Sequence, residues 1–224
     1  MKNGFHGFAL TCDTQLLGKR RRDVRNGFGL PEYLSVANYD KYGSGDSFAA
    51  VDKTAKKVQS SPSAKKSTGS ALADFMNNHK ENRFSWEVLK YIKKVTRGQA
   101  IVAAKGIMCP EDAILALENE ADVIYVSNHG ARQLDTTPTT IDVLPSIVKA
   151  VRAWELGNNK RPGDIQIYFD GGLRNGSSCL KALGLGADLV FVGRPALWAL
   201  ATAGKSGVDW MQEKLAEELL EVMN

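Results

Sequence analysis

Short apolar runs, each ending in polar or glycine-rich residues, recur along the chain: FAL at 8–10, AIVAA at 100–104, VIYV at 123–126, IQIYF at 165–169 and DLVFV at 188–192. Between them, apolar residues return at helical spacing. After Ser85 as N-cap, Val88, Ile92 and Val95 fall at i, i+4 and i+7 with Leu89 beside them. Pro110 followed by Glu111 and Asp112 opens a second helix, because proline suits the first turn and carboxylates complement the helix dipole there. Ile141, Leu144, Val148 and Val151 mark a third face, and Val208, Met211, Leu215 and Val222 a fourth. Strand-sized runs alternating with helices predict an α/β fold with a parallel sheet. The apolar stripes need no role beyond core packing.

Residues 38–82 break this rhythm. Ser, Gly, Lys and Asp dominate in YGSGDS, KTAKK, SSPSAKKSTGS and NNHKEN. So long a polar stretch inside one domain is read as a flexible, lid-like insertion following the polar end of the first strand. No solenoid-type repeat is present beyond the strand and helix alternation. A parallel series of this kind closes most often as a (β/α)8 TIM barrel, which needs about 250 residues. About five strand–helix units are readable here, leaving about three of the eight unaccounted for. Met1 stands almost directly before the first strand. The expectation is one incomplete barrel domain over 1–224, truncated at the amino end.

Bulk properties narrow the picture only slightly. With 224 residues and 43% hydrophobic content, the chain can bury one sizeable core. A net charge of +4, from 29 basic and 25 acidic residues, gives no reason to expect a nucleic-acid or membrane partner. Cys12, Cys109 and Cys179 are odd in number and widely spaced, so neither a disulfide framework nor a metal site is suggested, and they read as reduced thiols. The start is too polar for a secretory signal, and no stretch reaches the ~18 apolar residues of a membrane span. A soluble, intracellular protein is expected, its compartment (cytoplasm, peroxisome or mitochondrion) open.

The segment SNHGARQLD at 127–135, placed just after VIYV, resembles the active-site signature of the FMN-dependent α-hydroxy-acid dehydrogenase and oxidase family, which includes glycolate oxidase and L-lactate dehydrogenases. TCDT with LGKRRRDVRNGF, AAKGI, FDGGLRNG and VFVGRP resemble further family segments in the same order. The resemblance implies FMN-dependent oxidation of a small L-2-hydroxy acid to the 2-oxo acid. It implies His129 as the base, since neutral imidazole accepts a proton near physiological pH, and Asp13 as the carboxylate orienting it. Arg132 and Arg20 would bind the substrate carboxylate through the planar fork of guanidinium. Arg20 lies within KRRRDVR, whose plainer reading is a solvated basic loop. For the cofactor, Lys105 would face the flavin N1 side, with Thr11 and Ser127 hydrogen bonding the ring. Asp170, Gly171, Gly172, Leu173 and Arg174, with Gly193 and Arg194, would hold the phosphate, the usual task of the loops after the last two barrel strands.

Some positions depart from the family pattern. Asn175 stands for a frequent second arginine, Ser177 and Ser178 for a small residue and an acid, and Gln15 where proline is common. None removes a proposed catalytic group. Two other readings compete: an inactive or partly folded fragment of such an enzyme, whose open barrel would expose sheet edges, and another phosphate-binding TIM-barrel protein without flavin. The electron acceptor (oxygen, a cytochrome or a quinone) stays open, as does assembly into a homo-oligomer. His6 and His79 have no nameable partners and read as solvent-facing.

Overall fold

The computed structural model describes residues 4–15, 17–29, 31, 33–34 and 85–224. The expected lid at 38–82 lies outside the described residues, as does His79. The chain divides into two compact units, Met1–Thr14 with Phe84–Asn224, and Gln15–Arg83. In the first unit, strands β1 (Gly7–Thr11), β2 (Ile101–Ile107), β3 (Val123–Val126), β4 (Gln166–Asp170) and β5 (Leu189–Phe191) form one sheet in sequential order, every pair parallel. In the second unit, α1 (Arg21–Asn26) ends at Gly27 in the left-handed conformation. Arg21 to Arg25 of KRRRDVR are therefore helical, while Lys19 and Arg20 precede the helix.

The remaining helices are α2 (Glu87–Val95), α3 (Pro110–Glu118), α4 (Thr140–Gly157), α5 (Gly176–Gly184) and α6 (Arg194–Met223). From β2 to β5 strands and helices alternate strictly, so the α/β expectation with about five strand–helix units holds. Pro110 starts α3, with Glu111 and Asp112 in its first turn. For α2 the expectation needs correcting. Trp86 occupies the N-cap position, and the Ser85 carbonyl instead accepts from the Val88 N–H at 3.1 Å. Leu89 is fully buried whereas Val95 is 61% exposed, so the helix seats one step round from the predicted stripe. In α6, Val222 is likewise exposed. That helix bends where Ala203 and Gly204 leave helical geometry.

Strand alternation separates two faces. Ile124, Val126, Ile167 and Phe169 pack with Leu89, Leu117, Leu144, Ile147 and Val151 in the core between sheet and helices. Each such side chain contributes roughly 1.5–3 kcal/mol on burial. The opposite face carries Tyr125, Tyr168 and Phe191, a mutually packed trio with ring centroids 4.9–5.8 Å apart. At the amino-terminal feet of the strands one device occurs twice. Asp122 donates its backbone N–H to the Val102 carbonyl at 2.8 Å and accepts the Val102 N–H on its carboxylate at 2.7 Å, while pairing with Lys93. Asp188 does the same with Ile167 at 2.7 Å and Arg152. The sequence pairs ADV and ADL foreshadow this local repeat.

Candidate functional site

Chemistry-bearing residues gather where the strands end. Thr11 at the end of β1 stands in register with Lys105 of β2, and beyond Lys105 the β2–β3 register shifts. The shift falls on Gly106, whose φ of +103° disfavours any side chain, and a Cβ there would lie 2.9 Å from Asp13. The bulge thus makes room for the Asp13 side chain against β2. Cys12 donates its backbone N–H to the Lys105 carbonyl at 2.7 Å, fixing the turn that presents Asp13. Burial, with the negative charge of Asp13 adding to it, pushes the Cys12 thiol up to about 11.

His129 follows β3 in a left-handed turn. His129, Gly130 and Ala131 all have φ near +60°, and the turn is closed by the Ala131 N–H donating to the backbone and side-chain oxygens of Asn128. For Ala131 this conformation costs on the order of 1 kcal/mol or more, strain of the kind that accumulates at functional sites. The turn carries the His129 Nδ1 to 3.3 Å from Asp13 Oδ1. Gln133 reaches across to donate to the Asp13 backbone carbonyl at 3.2 Å, tying the two loops together.

Ser127, fully buried, joins His129 to the next group. Its Oγ accepts from Lys105 Nζ at 2.7 Å and from the His129 N–H at 3.2 Å. With two donors already directed at that oxygen, the serine proton remains to be donated. Lys105 also lies 3.3 Å from Asp170 Oδ2 and 5.0 Å from the centre of the Tyr125 ring. Burial, then the negative charge of Asp170, raises the Tyr125 phenol well above its usual range, so it stays protonated. The other Asp170 oxygen, Oδ1, is buried with no hydrogen-bond partner among the described residues, and so is Asp13 Oδ2.

A cavity of about 450 Å³ opens beside this network, lined among others by Lys105, His129, Arg132, Asp170, Arg174 and Arg194. Its glycine wall follows β4. Gly171 has φ +104°, and a Cβ there would meet Thr140 Oγ1 at 2.5 Å, so backbone alone can form this surface. Arg194, in the first turn of α6, donates to the Gly130 carbonyl at 3.2 Å and so spans from the last strand's loop to the His129 turn.

The structure therefore brings Thr11, Asp13, Lys105, Ser127, His129, Arg132 and Asp170, Gly171, Gly172, Leu173, Arg174, Gly193 and Arg194 to the carboxyl ends of five adjacent strands. Asp170 pairs with Lys105 while lining the same cavity as the arginines. Arg20 belongs to the 15–83 unit, directly before α1. Sequence reading did not single out Gly106, Tyr125 or Gln133. A glycine inside the apolar run AAKGI was a usable signal for the bulge, whereas nothing local distinguishes Tyr125 from a core aromatic. His6 is exposed, as expected.

The sequence profile of the family described as FMN-dependent dehydrogenase matches residues 1–224. The 2-hydroxyacid oxidase 1 of Mus musculus is 39% identical over 217 residues, which are 97% of this chain and 52% of the relative. Glycolate oxidase 3 of Arabidopsis thaliana is 39% identical over 215 residues, 96% of this chain and 50% of the relative. A crystal structure of mandelate oxidase with (S)-4-hydroxymandelic acid superposes with a TM-score of 0.79 at 37% identity, covering 99% of this chain and 54% of that one. The chain spans about half the length of the relatives it matches.

Proposed function

Since the chain belongs to the FMN-dependent dehydrogenase family, we propose that its site serves the oxidation of a small L-2-hydroxy acid to the 2-oxo acid. FMN, when bound, supplies the two-electron acceptor. The observation that carries the reading is the contact of Asp13 with His129, whose ring lines the same cavity as Lys105. A carboxylate 3.3 Å from Nδ1 holds the proton on that nitrogen, leaving the Nε2 lone pair to accept the proton the substrate loses. Asp13 then faces the imidazolium and stabilises it. Arg132, at the cavity wall and without an ion-pair partner among the described residues, suits a substrate carboxylate. Arg20 is the second candidate, on the resemblance of its segment. Proton abstraction from carbon and deprotonation of the hydroxyl with hydride loss both use the same base.

The donor set fits FMN better than a bare phosphate ester. The unpartnered Asp170 Oδ1 would repel a phosphate but accept from a hydroxyl-bearing chain such as ribityl. Lys105, with the Ser127 proton and Thr11 beside it, would hold the electron-rich edge of the ring. Gly171, Gly172, Leu173, Gly193, Arg174 and Arg194 would receive the phosphate. A chain ending in phosphate thus meets acceptors first and cations last. This disfavours the reading as a flavin-free phosphate-binding barrel.

A second reading, that these 224 residues do not hold flavin by themselves, is favoured by one observation. Phe8 and Ile101 at the β1 side and Leu189 and Phe191 at the β5 side are exposed. One experiment separates the two. The purified chain is titrated with FMN while its visible spectrum is recorded, then mixed anaerobically with L-lactate or glycolate. Bound flavin that bleaches supports the proposal, and a colourless chain sinks it. His129→Gln should keep the bound spectrum and slow bleaching by roughly 10²–10⁴-fold, the usual worth of a positioned general base.

A further inference from the structure

The two arginines of the glycine wall are held in different ways. Arg194 is tied to the Gly130 carbonyl. Arg174, in the loop after β4, takes part in none of the ion pairs among the described residues. Its guanidinium carbon instead lies 5.5 Å from the ring centre of Trp198, one turn into α6 from Arg194. Trp198 is 51% exposed, so its ring is half open to solvent where the guanidinium lies over it. Arg174 lines the cavity and Trp198 does not.

We infer that Trp198 is a positioning residue: its ring holds the Arg174 guanidinium at the cavity edge, ready for the phosphate group of the cofactor. This rests on the flavin reading above and extends it to a side chain that touches no ligand. The physical case is that an exposed arginine otherwise samples many rotamers, and ordering it at the moment of binding weakens the contact. A guanidinium held over an indole face is ordered beforehand, and because the ring is no carboxylate-like acceptor, its N–H groups stay free to meet phosphate oxygens. A carboxylate in place of the ring would compete for those same donors. The ring orients the cation without consuming its hydrogen bonds.

The test exploits the difference between FMN and riboflavin, which lacks the phosphate. Dissociation constants of both are measured by quenching of flavin fluorescence on the full chain, on Trp198→Ala, on Trp198→Phe, on Arg174→Gln and on the double variant. Trp198→Ala should weaken FMN about two- to fivefold, the usual worth of an exposed cation–π contact, and leave riboflavin unchanged. Trp198→Phe should restore most of the loss, and Trp198→Ala should have no further effect once Arg174 is Gln. Equal weakening of both flavins by Trp198→Ala, or an undiminished effect in the Arg174→Gln background, overturns the positioning role while leaving the flavin reading intact. A wild-type chain that quenches neither flavin overturns both.

Discussion

Cys12 sits one residue before Asp13, and the fold that presents the carboxylate buries the thiol beside it. Burial first, and the Asp13 charge second, raise this thiol to about 11. Between its ordinary value and that one, the unfolded chain releases a proton that the folded chain keeps. The unfolded state then binds fewer protons, and stability falls as pH rises through roughly 9 to 11. Cys12→Ala should flatten that alkaline slope in thermal melts; an unchanged slope would place its origin elsewhere. At pH 8 the folded chain should react with a thiol reagent at Cys12 far more slowly than the unfolded chain. The left-handed turn at His129 serves several contacts at once: it brings Nδ1 within 3.3 Å of Asp13 and the His129 N–H onto Ser127 Oγ.

Elements act here through their ends. The bulge at Gly106 is a feature of one strand with a consequence for another, because it opens space for Asp13. Gly106→Ala should cost roughly 1–3 kcal/mol from backbone strain, read as a shift in the urea midpoint, and should weaken the His129 contact through displacement of Asp13. A midpoint equal to wild type would show that the strand accommodates a side chain after all. The strand feet offer a cleaner contrast. Asp122→Asn keeps an acceptor for the Val102 N–H and loses only the pair with Lys93, for which about 1 kcal/mol or less is expected. Asp122→Ala leaves a buried N–H unsatisfied and should cost about 1–3 kcal/mol. Equal losses in the two variants would mean that the ion pair, not the backbone bond, carries the effect.

For the whole molecule the cavity lies at the ends of strands β2 to β5, so FMN binding there would be linked to folding. An FMN concentration of 100 times the dissociation constant stabilises by about 2.7 kcal/mol. For a chain of this size that corresponds to a rise in Tm of roughly 5–10 °C. Differential scanning fluorimetry at increasing FMN checks this, and a flat Tm would speak against a folded-state flavin site. Away from the cavity, Glu155 of α4 is fully buried and accepts from the Ile165 N–H at 2.6 Å, from Gly163 and from Arg152. It pins the loop that leads into β4. Among the described residues no helix is long and apolar enough to cross a membrane.

The amino-acid sequence alone carried the α/β alternation, the five strands and the residues at their ends. Periodicity and the run of SNHGARQLD, DGGLR and VGRP are local properties, written in order along the chain. It also named both members of the His129–Asp13 pair, although only through resemblance, since 116 positions separate them. What the tertiary structure decided is non-local. It turned α2 so that Leu89 rather than Val95 is buried, because the helix seats against β2 rather than on its own stripe. It assigned Asp170 to Lys105, gave Gly106 its purpose and set Trp198 against Arg174. Each of these depends on which strand lies beside which, and pairing between distant segments is settled by packing and register, not by any window of sequence.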